Sequence, residues 1–240
     1  MSNKPLIKLV FLAALFLAGC TSNLDANLPP TETPSPAPSF NLDEHIDNGS
    51  ALMDQTKYNE AEILFQDAIS YYPDSALAYA SLAEAILKQD TRHQTGFEAA
   101  QKAISLDPNN GFALRVLSAY QSKLLLLEDS YTDAEAAYQQ YPDDPVTAHT
   151  LIQAALGVNH NEKALEVLRG VREKYPADPE TYTLIGLYYA RTAQFERSDA
   201  AYRKAVALDP ANIDNLVNYA WLNLLQIVNR RNQYWIAIFG

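Results

Sequence analysis

The sequence predicts an all-α protein built as an α-solenoid of about five helical hairpins and a partial sixth. The first observation is the near-constant spacing of five prolines, at Pro73, Pro108, Pro142, Pro176 and Pro210, with intervals of 35, 34, 34 and 34 residues. The second is that small and apolar residues precede these prolines in a recurring order. The third is a helical spacing of apolar residues within each interval. A fixed period of this length is typical of one supersecondary unit repeated along the chain.

Residues 179–212 show most clearly what one unit contains. Pro179 is expected to open a first helix, because proline is tolerated in a first helical turn. Asp209 precedes Pro210, and a residue before proline is pushed out of the helical region, so the unit ends there. Gly186 is expected to let a neighbouring helix approach closely. The inward-facing residues of the two predicted helices are Tyr182, Ile185, Gly186 and Tyr189, followed by Ser198, Tyr202 and Ala205.

This order of residues resembles the tetratricopeptide repeat. The repeat has an aromatic, a large apolar and a small residue on its first helix, and small, aromatic and small residues followed by proline on its second. The resemblance implies a solenoid over 41–228 with a concave groove lined mainly by first helices. Its units are 42–75, 76–110 (with one inserted residue near the turn), 111–144, 145–178, 179–212 and a partial unit at 213–228.

The first residues predict an export signal. Lys4 and Lys8 precede a short apolar run, which ends at Leu17-Ala18-Gly19-Cys20, and this pattern is typical of a secretory signal peptide over 1–19. Cys20, the only cysteine of the chain, resembles the cysteine of the bacterial lipobox. The resemblance implies acylation of Cys20, with palmitate-type chains attaching the protein to a membrane. Thr21, rather than aspartate, follows the cysteine, which favours the outer membrane with the protein facing the periplasm of the bacterial cell envelope.

The segments that flank the predicted solenoid differ in composition. Residues 20–40 alternate prolines with Thr, Ser and Ala, so after the lipidated cysteine we expect an extended, semi-rigid tether. Residues 229–240 form an apolar, aromatic tail instead of the polar face expected of a terminal cap. One hypothesis is that the tail reflects a chain shortened by a frame shift or an early stop. Another is that the tail folds back over the last hairpin or docks on a partner.

The charge balance excludes some classes of partner. The whole chain has 18 basic and 29 acidic residues, a net charge of −11. Removal of the signal with its two lysines leaves −13. A charge of this sign opposes binding to nucleic acid and to anionic lipid surfaces. The expected contact with a membrane is therefore through the N-terminal lipid alone.

The sequence contains no motif typical of an enzyme or of a metal site. The four histidines have no pair at the i, i+4 spacing of a helical zinc site, and no nucleophile elbow or phosphate-binding loop occurs. We therefore predict no enzyme activity, no catalytic residue, no metal site, no cofactor and no small-molecule substrate. The aspartates that border predicted helix ends are expected to cap helices and begin turns; they are Asp107, Asp143, Asp178 and Asp209.

Binding of a protein or peptide partner is the function that the resemblance implies. We expect a lipid-anchored scaffold that assists assembly of an envelope complex, of pilus or secretion type for example. The alternative is an adaptor or regulator of an envelope peptidase or cell-wall hydrolase. Arg115 is the only residue at the repeat's main carboxylate-binding positions that could serve, and Phe112 and His149 are expected on the same wall. The groove-facing set implied by the repeat is Glu84, Leu87, Phe112, Arg115, His149, Gln153, Thr183, Leu187 and Trp221.

Overall fold

A computed structural model describes residues 41–90 and 92–224, and all the described residues are helical or lie in short turns. The predicted signal peptide, Cys20 and the tether up to residue 40 lie outside the described residues. The last residues of the partial sixth unit and the tail at 229–240 lie outside them as well. Within the described ranges, the predicted all-α solenoid is confirmed.

Ten helices with complete bounds alternate between two lengths, because the same unit is repeated. The first helix of each unit has 13 residues and the second has 14. The helices are α1 (Leu42–Asp54), α2 (Tyr58–Tyr71), α3 (Ala76–Lys88), α4 (His93–Leu106), α5 (Gly111–Lys123), α6 (Leu127–Gln140), α7 (Pro145–Gly157), α8 (Asn161–Lys174), α9 (Pro179–Arg191) and α10 (Phe195–Leu208). A further helix, α11, covers 213–224 of the described residues.

Side-chain caps begin every first helix from α1 to α9. In each case an oxygen of Asn, Ser or Asp accepts a hydrogen bond from a backbone N–H of the first turn, which otherwise has no partner. Asp178 caps α9, as predicted. The cap of α7 is Asp144 and not Asp143, whose carboxylate instead pairs with Lys174 at 2.5 Å. The complete set of caps is Asn41, Ser75, Asn110, Asp144 and Asp178.

The turn inside each of the five complete hairpins contains a left-handed residue at the fifteenth position of its unit, and in none of these units is it glycine. The second turn holds one more such residue, Arg92 with φ 50°. A non-glycine residue in this conformation costs about 1–2 kcal/mol, so packing of the two helices has to offset it. The five residues are Thr56, Asp90, Leu125, Asn159 and Ala193, with φ between 51° and 62°.

First helices form the inner layer of the solenoid. Each of α1, α3, α5 and α7 packs on the next first helix along the chain, whereas the second helices α2 to α8 pack only on first helices. Because only the first helices contact one another, they lie on the side towards which the stack curves. The groove predicted from the repeat therefore has first helices as its wall.

Residue size is complementary across the hairpins. Gly49 faces the ring of Phe65, and a methyl group at Gly49 would lie 2.3 Å from that ring. Gly186 likewise faces Tyr202, with 2.9 Å between an added methyl group and the ring. The close approach predicted at Gly186 is therefore present, and its partner is the second helix of the same hairpin.

In the second hairpin, the aromatic ring that packs between the two helices comes from the next unit. Its second helix carries a small residue, Ala100, where the first and fifth hairpins carry Phe65 and Tyr202. Tyr120 of α5 is fully buried in an apolar cluster that includes Ala83 and Ala100, and its hydroxyl donates to the Ala83 carbonyl oxygen at 2.8 Å. Burial raises the pKa of the Tyr120 phenol, so the group remains a donor. A methyl group at Gly96 would lie only 1.7 Å from this hydroxyl oxygen.

Candidate partner-binding groove

Two cavities follow the inner layer of first helices and share four lining residues. Each has a volume of about 630 Å³, and both are lined by Glu84, Lys88, Arg115 and Val146. The first cavity extends from there towards α1, and the second extends to the start of α9. We call the two cavities together the groove. It spans all five complete hairpins, because first helices stack on one another along it.

The structure brings six of the nine predicted groove residues together. Glu84, Leu87, Arg115, His149 and Gln153 line the second cavity, and Phe112 joins Glu84 and Arg115 in the first. The six come from α3, α5 and α7, which lie side by side in the inner layer. The stacking of units thus assembles a surface from residues more than 30 positions apart.

The other three predicted residues lie elsewhere. Leu187 and Trp221 line a separate cavity of about 290 Å³ near the last described helix. Thr183 is buried, and its hydroxyl lies 3.1 Å from the Pro179 carbonyl oxygen and within hydrogen-bond distance of Asn215 Oδ1. Thr183 therefore ties α9 to α11 and offers little surface to a partner.

Arg115 is engaged within the protein. The residue is only 8% exposed, and its Nη2 lies 2.7 Å from Glu84 Oε1. Its guanidinium also lies 5.0 Å from the centroid of the Phe112 ring, within the range of a cation–π interaction. The charge at the predicted carboxylate-binding position is thus neutralised by Glu84, and the three residues form one packed group between α3 and α5.

His149 forms a second polar link in the groove wall. Its Nε2 lies 2.9 Å from Thr181 Oγ1 and 3.0 Å from Asp178 Oδ2, and so connects α7 to the start of α9. Burial lowers the pKa of the His149 imidazole and outweighs the opposite effect of the Asp178 charge. His149 is therefore neutral at pH 7 in the folded protein, and its role at this pH is a hydrogen bond.

Several groove residues are not among those predicted from the repeat, and three of them are Lys88, Val146 and Glu180. Lys88 and Val146 are exposed, and within the described residues no ion pair engages Lys88. Burial raises the pKa of Glu180, the nearby Asp178 charge raises it further, and Lys88 opposes both effects. A signal for Lys88 was present in the sequence, since it lies one helical turn beyond Glu84.

Two further kinds of site have no candidate in the part of the chain that the structure describes. No group of three or more His, Cys, Asp or Glu residues there could hold a metal ion. None of the described helices combines the length and the apolar character needed to cross a membrane.

Comparisons with known proteins agree with the hairpin geometry. Residues 46–111 and 179–212 match models described as "Tetratricopeptide repeat". The peroxisomal targeting signal receptor of Komagataella phaffii is 23% identical over 176 residues, covering 68% of this chain. The chain spans only 30% of the length of that relative.

Solved structures show the same fold. A tetratricopeptide protein of Thermus thermophilus has a TM-score of 0.62 at 20% identity, with 77% of this chain and 100% of that chain covered. The type IV pilus biogenesis factor PilW has a TM-score of 0.61 at 15% identity, covering 74% of this chain and 82% of its own. The chain thus contains tetratricopeptide repeats, and its described part has the all-α solenoid fold of that type. Solenoids of this class are scaffolds for protein interactions.

Proposed function

We propose that the protein is a lipid-anchored scaffold of the bacterial cell envelope, held at the outer membrane and facing the periplasm. In the groove it binds an extended segment of a protein partner and so assists assembly of an envelope complex, of pilus or secretion type for example. The observation that carries the binding role is the groove itself, two cavities of about 630 Å³ that share four lining residues.

The chemistry of the groove favours a peptide segment over a small molecule. Small-molecule sites are mostly apolar and enclose their ligand. This groove is long and carries apolar and charged residues side by side. Pairing of Arg115 with Glu84 and of His149 with Asp178 leaves Lys88, Val146 and Gln153 as exposed groups along the wall. An extended peptide with alternating polar and apolar side chains can contact more of these groups at once than a compact ligand can.

The comparisons support the same proposal. One relative is named as a receptor for a targeting signal, and one solved neighbour is named as a pilus biogenesis factor. The envelope location rests on the lipobox-like sequence that ends at Cys20. A lipid anchor and a tether of about 20 residues, extended by roughly 3 Å per residue, would hold the groove tens of ångströms from the bilayer.

Site-specific photocrosslinking in cells tests the groove. A photoreactive amino acid at Val146 or Gln153 is expected to crosslink to a discrete partner, because both side chains are exposed inside the groove. The matched control is the same amino acid at Glu173, which is exposed on the second helix α8. Equal crosslinking from the control position would contradict binding in the groove. Identification of the partner by mass spectrometry separates an assembly factor from an adaptor for a peptidase or hydrolase.

Replacement of the cysteine tests the anchor. The variant Cys20→Ala is expected to remain unprocessed or to become soluble, because the thiol that would receive the acyl chains is missing. Metabolic labelling with a palmitate analogue measures acylation, and subsequent fractionation of the cells shows whether the protein is soluble or bound to the membrane. The lipoprotein proposal is wrong if the variant still partitions with outer-membrane fractions to the same extent as the unchanged protein.

A further inference from the structure

The groove carries more negative than positive charge. Five carboxylates and three Lys or Arg side chains line its two cavities. The whole chain is acidic as well, with a net charge of −11. A cleft whose walls carry mainly one sign of charge concentrates the electric field and attracts groups of the opposite sign. The carboxylates are those of Asp54, Glu84, Asp144, Asp178 and Glu180, and the basic residues are Lys88, Arg115 and Lys123.

Most of the positive charge in the groove is already neutralised within the protein. Arg115 forms a buried ion pair inside the inner layer, and Lys123 Nζ lies 2.6 Å from Asp90 Oδ1. Burial lowers the pKa of His149, so this residue adds no positive charge at pH 7. Among the described residues, Lys88 is therefore the basic side chain of the groove that has no carboxylate partner.

The negative charge is not neutralised in the same way. Within the described ranges, no Lys or Arg pairs with Asp54, Asp144, Asp178 or Glu180. Asp144 and Asp178 cap α7 and α9, so the hydrogen bonds that they accept come from neutral groups. Asp54 is exposed and the other three are half-buried, which leaves all four within reach of a partner. Four carboxylates along the groove thus lack a counter-charge, against one free ammonium group at Lys88.

The pKa of Glu180 reflects this imbalance. Burial raises the pKa above the usual range of a glutamate, and the negative charge of Asp178 raises it further. Lys88 lowers the pKa, but the opposing effects are larger. A cation beside Glu180 would stabilise the charged form of its carboxylate. The groove therefore favours a ligand that brings positive charge to this position.

We propose that the segment bound in the groove is basic, with Lys or Arg side chains that pair with these four carboxylates. The inference rests on the proposed function, because it assumes that a peptide segment of a partner occupies the groove. Apolar side chains between the basic ones contact Phe112 and Val146. The residue opposite Lys88 is not basic, since like charges repel. This preference is the reverse of the carboxylate binding that the repeat pattern suggests at Arg115.

Two synthetic peptides of equal length test the sign of the groove. One alternates lysine with valine, the other alternates glutamate with valine, and both carry the same fluorescent label. Fluorescence anisotropy with the full-length protein in a neutral detergent should show binding of the lysine peptide and little binding of the glutamate peptide. Added salt should weaken the binding, because ions screen exposed charge pairs. Equal or tighter binding of the glutamate peptide, or no binding of the lysine peptide, would overturn the proposal.

Paired variants locate this binding within the groove, since an acidic chain attracts a basic peptide over its whole surface. Asp54→Asn combined with Glu180→Gln removes two groove charges that neither cap a helix nor pair with a described Lys or Arg. Binding of the lysine peptide should weaken about three- to tenfold, the effect of two exposed ion pairs. The control, Asp67→Asn with Glu173→Gln, removes the same charge from exposed positions on the second helices α2 and α8. Equal weakening by the two double variants would contradict binding of the basic segment in the groove.

Reversal of the charge at Lys88 tests the inference in the opposite direction. Lys88→Glu should strengthen binding of the lysine peptide, because a carboxylate replaces the ammonium group that repels the peptide. The matched control is Lys102→Glu, which makes the same change at an exposed position on the second helix α4. A gain no larger than that of the control would count against the proposal.

Photocrosslinking at Val146 in cells separates this inference from the proposed function. The segment crosslinked there is expected to contain more Lys and Arg than Asp and Glu. A segment in which Asp and Glu predominate would leave the groove as the binding site but overturn its preference for basic partners. Failure to crosslink any discrete partner would contradict the proposed function itself, and this inference with it.

Discussion

Replacement of Gly96 by alanine is expected to lower the free energy of unfolding by about 1–3 kcal/mol. The added methyl group would lie 1.7 Å from the Tyr120 hydroxyl oxygen and 2.3 Å from the ring carbon that carries it. Overpacking of this kind typically costs about 1–3 kcal/mol. Displacement of Tyr120 also breaks its hydrogen bond to Ala83, worth about 1 kcal/mol. The better helix propensity of alanine, about 1 kcal/mol, offsets part of the loss. Urea denaturation followed by circular dichroism measures the change.

Two other glycines serve as graded controls for this prediction. Gly170 in α8 has no atom within 4 Å of an added methyl group, so Gly170→Ala should raise stability by about 0.5–1 kcal/mol. Gly186→Ala meets Tyr202 at 2.9 Å and should fall between the two, since the ring must shift by only a few tenths of an ångström. In a Tyr120→Leu background the cost of Gly96→Ala should largely disappear. If Gly96→Ala behaves like Gly170→Ala, the proposed packing of Tyr120 is wrong.

The second large effect is expected at the buried ion pair of the groove. Arg115→Met should lower the free energy of unfolding by about 2–4 kcal/mol, because removal of one partner leaves the other charge buried and unpaired. The side chains of Arg115 and Glu84 are only 9% and 19% exposed, so water replaces the lost interaction poorly. Urea denaturation of the single variants and of the double variant measures the effect.

The double variant Glu84→Gln with Arg115→Met is the control for this pair. Most of the lost stability should return, since replacement of both members of a buried pair by groups of similar size is often close to neutral. Strictly additive losses would mean that the two side chains do not interact in solution. Because Arg115 supports the fold in this way, loss of partner binding after its removal would not identify a contact. Exposed groove residues such as Val146 and Gln153 are better probes.

Much of the fold could be read from local patterns. The prolines set the period, Pro179 opens α9, and Asp178 caps that helix as predicted. The last two features depend on residues only a few positions apart, and the first is a spacing that recurs along the chain. The left-handed turns could not be located in this way, since the fifteenth position is occupied by Thr56, Leu125 and other non-glycine residues. Asp90 and Asn159 are residue types that tolerate this conformation, but Thr56, Leu125 and Ala193 are not, so no shared residue type marks the position and hairpin packing imposes the conformation.

In the candidate site as well, the sequence predicted some features and only the tertiary structure decided others. The repeat pattern alone assigned Glu84, Arg115 and His149 to the inner layer, because the position of a residue within its unit decides which face of the helix it occupies. Only the tertiary structure decided what those residues do. The partners of Arg115 and His149, Glu84 and Asp178, lie 31 and 29 residues away along the chain. Contacts between units depend on how closely the helices stack, and that distance is set by the sizes of all the packed side chains together. A sequence period therefore determines which residues face the groove, and stacking determines which of them remain free to bind.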